Sequence, residues 1–157
     1  MKIAIASDKS GFALKEVIRA YLDECKIAYD DLGTQDVENP SPFFVTAPKI
    51  APLVADKTYD RAILICGTGA GVSILANKHK GVYAVACESV YAAKMCRAIN
   101  DANIMCLGGW IVGPEMGIQM AKAFLETDFL QDLEDWRQTF LTSAKERVGE
   151  FENGIFG

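Results

Sequence analysis

"DRAILICGTGAGVSILANK", residues 60–78, runs from an apolar stretch through three glycines at alternate positions into a segment of helical character. "DRAILIC" is too short and too continuously apolar for an amphipathic helix and reads as a buried strand. "GVSILANK" begins a helix directly after the glycines. Strand, tight turn and helix in immediate succession make one half of a βαβ unit, and the rest of the chain repeats that alternation.

Upstream, "KIAIAS" (2–7) reads as a buried strand. "GFALKEVIRAYLDECK" is a one-sided helix, with Leu14, Val17, Ile18, Tyr21, Leu22 and Cys25 on its apolar face and Lys15, Glu16, Arg19 and Asp23 opposite. "IAYDDLG" is a weaker strand. After the loop "NPSPFF", "VTAPKIAPLVAD" has helical spacing, and Pro52 is expected to bend or interrupt it. Downstream come the strand "GVYAVACE", the helix "SVYAAKMCRAIND", the strand "ANIMCLGG" and the helix "GPEMGIQMAKAFLETDF", with Pro114 placed near its start. The segment 131–157 adds a last helix with Leu133, Trp136, Phe140 and Val148 at helical spacing, and it is expected to pack outside the sheet or on a partner subunit.

This order predicts one α/β domain over 1–157: a three-layer α/β/α, Rossmann-like fold with a five-stranded parallel sheet in flavodoxin-like order and an extra C-terminal helix. Ligands in such sheets bind outside the carboxyl ends of the strands. Residues 7–11, 66–71, 87–89 and 108–110 all emerge there.

The chain has 157 residues, half of them hydrophobic, and a net charge of −5. A broad basic surface for nucleic acid is not expected, and no run approaches the ~20 apolar residues of a membrane span. Five cysteines without a C-x-x-C pair suit free thiols in a reducing, cytoplasmic setting and no structural zinc.

Glycines at 67, 69 and 71 leave N–H groups facing outward beside a helix start, an arrangement that attracts negative charge. The spacing is G-x-G-x-G, which matches neither the Walker pattern nor G-x-G-x-x-G. Taken alone, such glycines most simply permit a tight turn. Cys66 adds chemistry, because a thiolate is favoured at a helix start and can act as base or nucleophile. A papain-like role would want a histidine, and the single His79 falls in the "NKHKG" turn. Cys87, Cys96 and Cys106 read as core residues.

Together, "CGTGAGVSILANK", "NDANIMCLGG" and "IVGPEMG…AFLETDF" resemble the type B ribose 5-phosphate isomerases and galactose 6-phosphate isomerase subunits, from the first strand to about residue 130. The resemblance implies a metal-free, cofactor-free aldose–ketose isomerase of a phosphorylated sugar. It also implies a homodimer or dimer of dimers with the active site between subunits and the C-terminal helix reaching across. On that likeness Cys66 carries the proton and Thr68 is its hydroxyl partner. The backbone from Gly67 through Gly69, Ala70 and Gly71 to Ser73 forms the anion hole, and Asp8 and Asn100 contact sugar hydroxyls.

The chain departs from the family pattern where an aspartate–histidine pair is usual, carrying Asp8 and Lys9. Phosphate is expected at Lys9 and Arg137, with Arg97 a third candidate, because Leu133 stands where a first arginine is usual. Phe43 aligns with a usual tyrosine. Ile99 occupies the place of the histidine credited with opening the sugar ring. Ribose 5-phosphate is the family's default substrate, but a tetrose 4-phosphate cannot close a furanose, so Ile99 raises a preference for an open-chain four-carbon substrate as the sharper hypothesis. Two other readings stay open: a non-catalytic sugar-phosphate-binding module, and one subunit of a two-subunit galactose 6-phosphate isomerase.

Overall fold

Strand and helix alternate five times in the computed structural model, which describes residues 1–157. The order is β1 (Ile3–Ser7), α1 (Phe12–Glu24), β2 (Tyr29–Asp31), α2 (Phe43–Ala55), β3 (Arg61–Cys66), α3 (Ala70–Ala76), β4 (Ala84–Ala86), α4 (Val90–Asn100), β5 (Ile104–Gly108), α5 (Pro114–Glu126) and α6 (Asp135–Phe156). All strand pairings are parallel.

The period of two along each buried strand sorts side chains between two cores. Ile3, Ile5, Ile63, Ile65, Met105 and Leu107 pack with Leu14, Ile18, Met120 and Phe124 on one face. Ala4, Ala6, Leu64, Ile104 and Cys106 pack with Ile50, Val54 and Val72 on the other. Strands buried on both faces read as continuous apolar runs, which is why "DRAILIC" lacks alternation.

The strand order is β2-β1-β3-β5-β4. The doubly wound architecture is the expected one, but β4 and β5 are exchanged relative to the flavodoxin-like order. β5 is buried along its whole length and takes the inner position, whereas β4 keeps only three residues in register and lies at the edge. Connections through α1 and α4 step one way along the sheet, and those through α2 and α3 step the other way. Right-handed crossovers then require the two pairs to lie on opposite faces, as the two cores show.

The chain leaves β3 toward one face, while its neighbours β1 and β5 are followed by helices on the opposite face. The carboxyl end of β3 is thus flanked by a topological switch on each side, and this is where a crevice opens.

Two local expectations are corrected. α2 runs without a break through both Pro48 and Pro52. Its face of Ala47, Ile50, Ala51 and Val54 is completely buried on the sheet, and that packing outweighs the two missing N–H donors. Lys15 does not lie on a solvated face; its side chain is 0% exposed, and its Nζ pairs with Asp31 and donates to the Thr34 carbonyl at 2.6 Å. The long apolar stem hides within the core while the ammonium reaches the end of β2.

α6 has Leu141 as its buried anchor and leaves Trp136, Phe140, Val148, Phe151 and Ile155 exposed. Polar bonds fasten it further: Glu152 accepts from the Gly81 N–H at 2.6 Å and the Tyr83 hydroxyl at 3.1 Å, and Lys145 pairs with Asp101. No helix is long and apolar enough to cross a membrane.

Candidate active site

Cys66 ends β3 and is 4% exposed, its sulfur at the floor of a cleft of about 310 Å3. Asp8, Ser10, Phe43, Gly67, Thr68, Gly71 and Trp110 line the remainder. The cleft lies in the switch-point crevice that the strand order creates.

The glycine loop is shaped around the thiol. Gly69 adopts φ +79°, a conformation that favours glycine, and its N–H donates to Cys66 Sγ at 3.2 Å. The Thr68 hydroxyl accepts from the Ala70 N–H at 3.3 Å, closing the turn. The N–H groups of Gly67, Thr68 and Gly71 have no acceptor within the chain. The loop therefore offers a thiol held by one backbone donor and three further donors free to meet an oxyanion.

The first loop supplies the opposite wall. Asp8 is half-buried, and one of its carboxylate oxygens accepts from the Gly11 N–H at 3.0 Å, which directs the carboxylate along the cleft edge at the start of α1. Lys9 follows it in the chain but is exposed and does not line the cleft.

Ser73 is not part of this cleft. Its hydroxyl donates to the Ala84 carbonyl at 3.2 Å and its N–H to the Gly69 carbonyl at 3.2 Å, because the first turn of α3 has already formed there. Ala70 likewise has its N–H engaged by Thr68 and contributes no lining.

Asn100 and Arg137 are not brought to Cys66 within one protomer. Asn100 and Ile99 line a separate, mostly apolar groove of about 490 Å3, together with Tyr83, Leu141, Lys145 and Val148. Arg137 lies on the first turns of α6, its nearest carboxylate being Glu134 at 3.9 Å. Arg97 does not line the cleft and is held elsewhere. It is buried, donates to the Ala102 carbonyl at 2.6 Å and the Thr127 carbonyl at 3.3 Å, and pairs with Asp101 at 2.8 Å.

The rest of "NDAN" is structural. Asn103 bonds the Tyr83 N–H and the Gly81 carbonyl, both at 2.8 Å. Burial pushes the Asp101 carboxyl up, but its bond to Lys145 and the charges of Arg97 and Lys145 outweigh that and hold it below the usual carboxylate range.

The other buried cysteines are shifted in different directions, the hydrogen bond with Cys96 lowering Cys87. Burial raises Cys106 well above an ordinary thiol, and a hydrogen bond with Cys87 followed by burial raises Cys96. Neither opens into the cleft, so position singles out Cys66. Ser10 and Trp110 are site residues that motif reading passed over. Their positions at strand ends, within 7–11 and 108–110, are the one signal that points to them.

A family model described as Ribose/Galactose Isomerase matches residues 3–139. A 4-deoxy-4-sulfo-D-erythrose isomerase from Clostridium sp. (strain MSTE9) is 54% identical over 156 residues, covering 99% of this chain and 98% of that one. The D-erythrulose-4-phosphate isomerase 2 of Mycolicibacterium smegmatis is 37% identical over 131 residues, covering 82% and 86%. Among solved structures, the ribose-5-phosphate isomerase B of Clostridium thermocellum superposes with a TM-score of 0.88 at 34% identity, covering 99% of both chains. A thiol at the strand end, an open set of backbone donors beside it and a match across nearly the whole sheet lead to one assignment: this chain belongs to the ribose/galactose isomerase family.

Proposed function

We propose that this chain interconverts the aldose and ketose forms of a four-carbon sugar carrying a terminal anion, a 4-deoxy-4-sulfotetrose or a tetrose 4-phosphate. The observation that carries the reading is Cys66 Sγ beneath the Gly69 N–H, with the unpaired donors of Gly67, Thr68 and Gly71 around the same cleft. As base, Cys66 takes the proton from C2 of the open-chain aldose and leaves a cis-enediolate. The thiol, whose proton exchanges with solvent, then gives a proton to C1 while the hydroxyl proton moves between O2 and O1, so no electron acceptor is needed. The three N–H groups hold the oxyanion, and Thr68 is the hydroxyl beside it.

Chain length is supported by Ile99 and by the relatives. An alkyl side chain cannot exchange a proton with a ring oxygen. A tetrose whose C4 bears phosphate or sulfonate has no free O4 hydroxyl with which to close a furanose, so it needs no ring opener. Two of the relatives are named for four-carbon substrates. Lys9, next to the cleft, is the cation in this protomer best placed for the terminal anion.

The site is completed by a second copy, which brings Asn100 to the sugar hydroxyls and Arg137 to the anion. Their separation from Cys66 in one protomer and the exposed apolar face of α6 support a dimer joined in part by residues 131–157. The whole of 1–157 then acts as one domain, in a reducing cytoplasm that keeps the thiol free.

The test is turnover of 4-deoxy-4-sulfo-D-erythrose, D-erythrose 4-phosphate and D-ribose 5-phosphate by the purified protein. The better four-carbon substrate is expected to exceed the pentose in kcat/KM by at least about tenfold, the scale on which pockets discriminate by a carbon unit. A preference for the pentose refutes the chain-length assignment. Absence of turnover and of solvent deuterium uptake for all three leaves a binding module. Mixing Cys66→Ala with Asn100→Ala subunits, each inactive alone, is expected to restore about a quarter of wild-type activity through hybrid dimers with one intact site. No recovery would remove Asn100 from the partner's site.

A further inference from the structure

We propose that Trp110 fixes the length of carbon chain the cleft accepts, an inference that rests on the isomerase reading of Cys66. The turn "GGW" after β5 is pressed between the two loops that form the site. A Cβ on Gly108 would meet the Thr68 backbone at 2.9 Å, and one on Gly109 would meet the Ser10 carbonyl oxygen at 2.5 Å. Trp110 is thus the first side chain of the turn, and its backbone is tied to the catalytic loop. The Gly109 N–H donates to the Cys66 carbonyl at 2.8 Å and the Trp110 N–H to the Gly67 carbonyl at 3.0 Å.

The indole then lies over Gly67. Three atoms of its six-membered ring stand 2.7–2.9 Å from the place a Cβ would take. Trp110 is nonetheless 74% exposed, an uncommon state for so large an apolar group unless something else covers it. At the other end of the glycine loop the Phe43 ring occupies the Cβ space of Gly71, at 2.9 Å. Two aromatic rings therefore bound the same cleft as Cys66, one on the first glycine and one on the last.

A cleft of about 310 Å3 is at the lower end of the ~300–1,000 Å3 usual for ligand sites. With few rotatable bonds and a backbone pinned at two points, the indole makes a stiff wall. Its face presents apolar surface to sugar C–H groups and carries negative quadrupole, so it meets the carbon chain and turns the terminal anion away. A fifth carbon has to displace the ring, whereas a four-carbon chain fits beneath it.

The experiment compares wild type, Trp110→Phe, Trp110→Leu and Trp110→Ala on a four-carbon substrate and on D-ribose 5-phosphate. Circular dichroism confirms folding of each variant. The pentose-to-tetrose ratio of kcat/KM is expected to rise about tenfold or more in Trp110→Ala, less in Trp110→Leu, and to stay near wild type in Trp110→Phe. An equal loss on both substrates, or an unchanged ratio, would mean that the ring only packs on Gly67 and would overturn the proposal whichever substrate the wild type prefers. A wild-type preference for the pentose refutes the four-carbon reading instead, and the variant ratios still judge Trp110. The chain has two tryptophans, so Trp136→Phe isolates the emission of Trp110. Titration with the four-carbon substrate is expected to shift or quench that emission, and an unaltered spectrum at saturating turnover would overturn the contact.

Discussion

Cys66→Ala is expected to lose at least about a thousandfold in kcat, within the range that a positioned acid–base group contributes, with the circular dichroism spectrum unchanged. The side chain is small and sits at the cleft floor, so truncation leaves little void in the core. It removes the thiol to which we assign proton transfer between adjacent carbons on one face of the sugar. Two readouts separate this from a general loss of fit. Product formed by the wild type in D2O gains deuterium at the carbon that receives the proton, and both turnover and label vanish in the variant. Binding of an unreactive polyol analogue of the substrate persists, because the N–H groups of Gly67, Thr68 and Gly71 are backbone donors and survive the substitution. Cys66→Ser keeps the shape and the Gly69 contact but places there a hydroxyl that is scarcely ionised near neutral pH, so it falls nearly as far. Cys96→Ala changes kcat by no more than a few-fold, since that thiol faces the core behind β4 and β5. Retention of label exchange in Cys66→Ala would assign the proton transfer elsewhere.

The second large effect concerns stability. Asp31→Ala is expected to cost about 3 kcal/mol, and hence to lower Tm by roughly 6–12 °C in a domain of this size. The Lys15 side chain is wholly buried and that of Asp31 is 7% exposed, so neither charge has water to fall back on. Removing the carboxylate leaves an ammonium in the core, with the Thr34 carbonyl as its neutral contact and Glu16 at 3.4 Å as its remaining counter-charge. Lys15→Met is gentler, because Asp31 keeps Arg19 at 3.1 Å and the stem is replaced by an apolar one. The double variant is therefore expected to be more stable than Asp31→Ala alone, as chemical denaturation would show. If Asp31→Ala matched an average surface substitution, the pair would be a passive contact. The pair has a bearing on the site: it fastens the end of β2 to α1, and the chain leaving β2 leads to Phe43 in the cleft.

Apolar run and turn, repeated along the chain, reveal the alternation of strands and helices, because a sheet covered on both faces leaves that pattern in every buried strand. The cleft is legible for the same reason: ligands collect at strand ends, and Cys66 and Asp8 stand at two of them. Strand order is a different matter. Exchanging β4 and β5 changes no residue's burial pattern enough to show in the sequence; it follows from which strand has enough apolar length to serve the interior. Lys15 was misplaced because helical spacing locates a Cβ, whereas a four-carbon stem carries the charge well away from it. Asn100 and Arg137 match the motif, yet Asn100 lines another groove and Arg137 lies on α6, since a motif records residue types and not where the fold carries them. Trp110 has no periodic signal at all. Its place depends on two loops from distant parts of the chain meeting over Gly67.

That meeting bears on how such a chain can change through descent. The indole fills the volume that any side chain at position 67 would need, so a substitution there has to push the ring aside while the tryptophan remains. The reverse order is open, because losing the ring leaves glycine in place at no steric cost. On the proposed role of Trp110, a lineage turning to longer sugars changes position 110 first, and the same step relieves position 67.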